Sequence, residues 1–101
     1  MRMLVDVSIP HEAFNAAVWD GSAGEKLGRI LAELKPEAVY YTERMGKRGL
    51  TMLIDLADPA QVPAIAEPFF LSFNADVKFH VVMTPDDLMR AGLEEIGKKW
   101  K

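Results

Sequence analysis

The chain contains no cysteine. That absence removes disulfides, thiolate zinc sites, iron–sulfur clusters and thiol nucleophiles together. Two histidines, the carboxylates and the hydroxyls are left to do any chemistry. Long apolar runs are missing as well, since none approaches the ~20 residues that a membrane-spanning helix needs. The first segment, MRMLVDVSI, carries Asp6 where a signal peptide would keep its apolar stretch. A cytoplasmic address with no membrane partner is therefore expected. Nor is charge of one sign in large excess: 12 Lys+Arg against 15 Asp+Glu give a net charge of −3, and the basic residues are scattered. No stripe or recognition-helix pattern suits a polyanion, so nucleic acid is not an expected partner. Low-complexity tracts and internal repeats are also absent.

What is present suits one α+β domain over residues 1–101, with half of the residues hydrophobic and a charged share of 27%. MLVDVSIP alternates with period two, placing Met3, Val5, Val7 and Ile9 on one face and Leu4, Asp6 and Ser8 on the other until Pro10 ends the strand. HEAFNAAVW starts a short helix, DGSAG at 20–24 bends the chain, and Ser22 with Glu25 has capping-box spacing before a longer helix to about Leu34. EAVYYTE and GLTMLIDLA flank RMGKRG as a hairpin, whose Arg44, Lys47 and Arg48 read as a solvated tip. Asp58 and Pro59 open a helix carrying Val62, Ile65, Ala66, Phe69 and Phe73 on one stripe, which Pro68 is expected to kink or split. VKFHVVM at 77–83 is a last strand, and TPDD caps a final short helix. A polar tail, residues 90–101, carries Leu93, Ile96 and Trp100 at i, i+3, i+7, and is expected to dock on its own or a partner protomer.

The order βαββαβ with right-handed crossovers predicts a ferredoxin-like fold: a four-stranded antiparallel sheet, strands one and three central, helices on one face. Alternation assigns Val5, Val7, Met52, Ile54, Val77, Phe79, Val81 and Met83 to the covered face. Leu4, Asp6, Thr51, Leu53, Asp55, Lys78, His80 and Val82 take the other. The second strand gives no clean vote between Tyr40 and Tyr41. A wet face would be more polar, and a buried core would not keep its ionisable groups unpaired. Sheet-on-sheet pairing with a second copy is therefore expected, with Leu4, Asp6, Leu53, Asp55, Lys78, His80, Val82 and Trp100 at the interface.

At this point HEAFN, DGSAGEKLGRIL, KPEAVYYTE, DLADPAQVPAIAEPFF and NADVKFHVVMTPDDL resemble a family of small bacterial proteins with no assigned activity. It lies within the dimeric α/β-barrel superfamily, alongside muconolactone isomerase-like proteins and antibiotic-biosynthesis-type monooxygenases. The resemblance implies a homodimer and small-molecule chemistry, with a cavity between sheet and helices. His11, Asn15 and Trp19 share a side of the first helix near the mouth of such a cavity, and Tyr41, Phe69 and Phe70 are candidates to line it around an apolar or aromatic acid. The alternative is that His11 begins a helix and the aromatics are core. Asp6 and His80, on adjacent strands and one face, form either a general-base pair or an interfacial ion pair with Lys78 and Asp55. No cofactor and no metal are expected: GSAG lacks an extended phosphate-loop pattern, and His11 and His80 sit on different elements.

Overall fold

Strands β1 (Arg2–Ser8), β2 (Ala38–Arg44), β3 (Lys47–Asp55) and β4 (Asp76–Val81) form one antiparallel sheet in the order β2-β3-β1-β4. The computed structural model describes residues 1–101. Helices α1 (His11–Trp19), α2 (Ala23–Leu34) and α3 (Val62–Phe73) make the crossovers, and α4 (Pro85–Arg90) and α5 (Leu93–Lys99) follow the last strand. This is the ferredoxin-like arrangement with β1 and β3 central, as the order of elements predicts. No helix is long and apolar enough to cross a membrane.

Register sets the two faces. β1 pairs with β3 from Arg2↔Asp55 to Ser8↔Gly49, and with β4 from Met3↔Val81 to Ser8↔Asp76. Opposed residues share a side, so Met3, Val5, Val7, Leu50, Met52 and Ile54 all point to the helices and are buried. Ala17, Ile30, Ile65, Phe69 and Phe73 meet them from the helices. Phe73 also stacks on Phe14, with 5.5 Å between ring centres. Truncating a fully enclosed ring such as Phe69 typically costs about 3–5 kcal/mol. This layer therefore fixes the strands from beneath and leaves their other face geometrically defined.

Several local expectations are corrected. The hairpin turn is only Met45 (φ 53°) and Gly46 (φ 79°), both left-handed, because a two-residue turn of this hand matches the strand twist. β4 ends at Val81, opposite Met3 and on the outer edge of the sheet, and Val81 and Met83 are exposed and take no part in the core. Ser22 forms no box with Glu25; its backbone is already helical, and its N–H donates to Asp20 Oδ1 at 2.8 Å. Boxes close instead at Asp58 with Gln61, ahead of the 3-10 turn Pro59–Gln61, and at Thr84 with Asp87, ahead of α4. Pro68 does not split α3, which runs unbroken to Phe73. The bond that proline cannot make would go to the carbonyl of Ala64, an exposed residue, so the loss falls on the solvent side of the helix.

Residues 84–101 stand apart from the body. No residue of α4 or α5 is buried, and neither helix makes more than passing contact with the sheet or the other helices. The molecule measures 59 × 28 × 20 Å, with a radius of gyration of 17.1 Å, against about 13 Å for a compact chain of this length. The tail does not dock on its own protomer, and the projecting arm begins earlier than residue 90, at Thr84.

Candidate functional site

The sheet face turned away from the helices is open. Across β2, β3, β1 and β4, the register sets Ala38, Leu53, Leu4 and His80 in one row. Tyr40, Thr51, Asp6 and Lys78 form the next, and Thr42, Gly49, Ser8 and Asp76 the third. The ambiguity of β2 is thereby resolved: Tyr40 belongs to the open face and Tyr41 to the helix side.

Asp6 is the centre of the face. Its Oδ1 accepts from Arg44 Nη2 at 2.7 Å and from Thr51 Oγ1 at 2.8 Å, while its Oδ2 lies 3.5 Å from His80 Nε2. Arg44 Nη2 also contacts Thr51 Oγ1. The row above explains how an arginine at the hairpin end reaches the middle of β1. Gly49 has no side chain to block the passage: a Cβ there would stand 3.2 Å from Arg44 Cγ and 2.4 Å from the Val7 carbonyl oxygen. Reaching across leaves Arg44 Nε buried without a hydrogen-bond partner.

The electrostatics follow from that packing. The side chain of Asp6 is 23% exposed, and its partial burial opposes ionisation. The hydrogen bonds from Arg44 and Thr51, with the charges of Arg44 and His80, outweigh that penalty and hold the carboxyl below its usual range. Asp6 is therefore a standing anion at neutral pH, aimed at the imidazole. His80, 51% exposed, turns Nε2 toward it, so Nδ1 is the nitrogen left for a ligand.

Two grooves flank the cluster. One, of about 300 Å³, lies toward the hairpin and is lined by Asp6, Ser8, Arg44, Met45, Lys47 and Lys78, with Asp76 beside them. Its cations are placed to meet an anionic group. The other, of about 610 Å³, lies at the opposite end of the face and includes Leu53, Asp55 and Val82. Asp55 there bonds the Met1 amino group at 3.0 Å. Leu4, Leu53 and Val82 are partly buried even with the face uncovered, whereas Lys78 and Trp100 are exposed.

The residues expected around a helix-side cavity do not converge. His11 is exposed at the start of α1, Trp19 is 84% exposed at its end, and Phe70 faces outward. Asn15 Oδ1 accepts from Arg48 Nη1 at 2.8 Å, and the Arg48 guanidinium lies 4.8 Å from the Phe14 ring centre. Phe69 is core. Tyr41 lines a space of about 230 Å³ shared with Ile9, Phe14 and Leu27. The core packs that layer, and the cluster of ionisable side chains lies on the open face instead. No three His, Asp or Glu side chains gather as a metal would require.

Arg44 is the member of the cluster that sequence reasoning missed, because it was grouped with Lys47 and Arg48 as a solvated tip. The usable signal was Gly49, a glycine inside a strand, which marks a close approach of something else. Compared with known proteins, the chain matches no protein-family model and no curated protein.

Proposed function

We propose that the protein is a homodimer that pairs its open sheet faces and binds a small apolar or aromatic acid between them, His80 and Asp6 serving as the proton-transfer pair. The observation that carries this reading is the position of the cluster. A carboxylate held by two donors faces an imidazole on a surface whose neighbours, Leu4 and Leu53, are half-buried before anything covers them. Sheets pack about 10 Å apart, so a second face would exclude water and strengthen the pair. The resemblance to dimeric α/β-barrel proteins supports the same assembly.

The chemistry follows from the orientation of the imidazole. Donation of Nε2–H to Asp6 fixes the tautomer and leaves the Nδ1 lone pair free to take a proton from a carbon next to a carbonyl. Asp6 stabilises the imidazolium that forms, and return of the proton to a different carbon completes an isomerisation with no net gain or loss. Lys47 and Lys78 bordering the adjacent groove suit the substrate's carboxylate, and Tyr40 and Leu4 suit its apolar body.

A second reading has its own observation. Arg44 and Thr51 already satisfy Asp6 Oδ1, which suits a purely structural pair that specifies how two copies dock. His80→Gln separates the two. In the catalytic reading, sedimentation still gives a dimer, titration with a phenolic acid still shifts the amides of Lys78 and Tyr40, and turnover of a lactone panel falls about 100-fold or more. A variant that instead dissociates, with no turnover by the parent protein, leaves the pairing module as the function.

A further inference from the structure

The arm of residues 84–101 is amphipathic with nothing of its own to lie on. Along α5 and its capping residue Trp100, Leu93, Ile96 and Trp100 follow helical spacing, while Glu95 and Lys98 pair at 3.3 Å elsewhere on the helix. Leu88 and Met89 join Leu93 inside the bend at Gly92, whose φ of 73° turns one helix into the next. Trp100 is 78% exposed. Large apolar side chains gathered in water mark an interaction surface.

We propose that the arm of each copy lies on a second copy of this chain and seats Trp100 in the groove at the α4 end of the partner's open face. The inference rests on the homodimer reading and adds what completes the interface. Reach is the first argument. The long axis of 59 Å is about twice the next extent, 28 Å, so the arm overhangs its own body by enough to lie along another. Shape is the second, because the groove of about 610 Å³ has Leu53, Val82 and Met83 as apolar walls and is roomy enough for an indole. Charge is the third. Glu37, Asp55 and Asp87 border the groove against Arg2 and the Met1 amino group, a negative balance, while the arm ends in Lys98, Lys99 and Lys101. One sequence thus carries both halves of the contact, and a two-fold axis makes the exchange reciprocal and closed.

The lack of native cysteine permits a clean test. A full-length Lys101→Cys chain carrying a spin label is mixed with ¹⁵N-labelled protein. Broadening of the ¹⁵N copy's amides at Leu53, Asp55 and Val82 is expected. Trp100→Ala should weaken dimerisation about thirtyfold, as for a central tryptophan anchor. Its fold is not at risk, because Trp100 takes no part in the core of its own protomer. A dimer without broadening at that groove, or with broadening on α1 or α3 instead, overturns the arm exchange and leaves the homodimer standing. An unchanged dimerisation constant in Trp100→Ala overturns it too. Monomeric mass at every concentration overturns both.

Discussion

Gly49→Ala probes the passage that lets Arg44 reach Asp6. A methyl group there would stand 2.4 Å from the Val7 carbonyl oxygen and 3.2 Å from Arg44 Cγ. A carbon and a carbonyl oxygen settle at about 3.3 Å or more, so the two central strands must part by about 1 Å. The bond from Ile9 N–H to the Arg48 carbonyl, now 2.9 Å, would then exceed hydrogen-bonding range. Orphaning that pair costs about 1–3 kcal/mol, and overpacking adds about 1–3 kcal/mol. At about 4–8 °C per kcal/mol for a domain of this size, the thermal midpoint by circular dichroism should fall by at least ~10 °C. Placing the same substitution in an Arg44→Met background should recover the share that acts through the arginine, giving non-additive losses. A midpoint within ~2 °C of the parent would refute the close approach and, with it, the account of how Arg44 is positioned.

Two further outcomes follow from the same geometry. Because the folded-state pKa of Asp6 is depressed, its ionisation stabilises the fold above the ordinary carboxylate range, and that contribution is lost as pH falls through the lowered value. Asp6→Asn should therefore reduce the acid side of a stability-against-pH curve from urea titrations. It should not abolish it, since hydrogen bonds from Ser22 and from the Thr84 backbone also lower Asp20 and Asp87; an identical slope would count against the cluster. Met45, fully exposed with φ 53° beside Gly46, occupies a position where asparagine is favoured. Met45→Asn should raise stability by about 1 kcal/mol, and an unchanged midpoint would argue against a left-handed turn.

Strict alternation in β1 and β3 made most of the fold legible, since a period of two leaves little freedom once one face is apolar. It also placed Asp6 and His80 on one face of neighbouring strands, the contact the structure contains. What escaped reading depends on relations between strands. The route of Arg44 across Gly49 exists only after β3 is laid against β1. The exposure of Val81 and Met83 depends on where the edge strand β4 stops. Phe69 and Phe70, adjacent in sequence, could each have lined a cavity, but helical spacing sends one into the core and the other to solvent. The side pattern of α5 was visible as Leu93, Ile96 and Trp100; that the helix leaves its own body was not, because no local periodicity encodes the direction of an arm.

The projecting arm has a consequence for how this protein would behave on a gel-filtration column. A radius of gyration of 17.1 Å is that of a compact chain of roughly 220 residues, close to twice the length of this one. A single copy with its arm extended would thus elute near the position of a tightly folded pair, and two copies that tuck their arms against each other would grow in mass while hardly growing in size. Elution volume is therefore blind to the transition that matters here, and light scattering, which weighs particles, is the measurement that tells one from two.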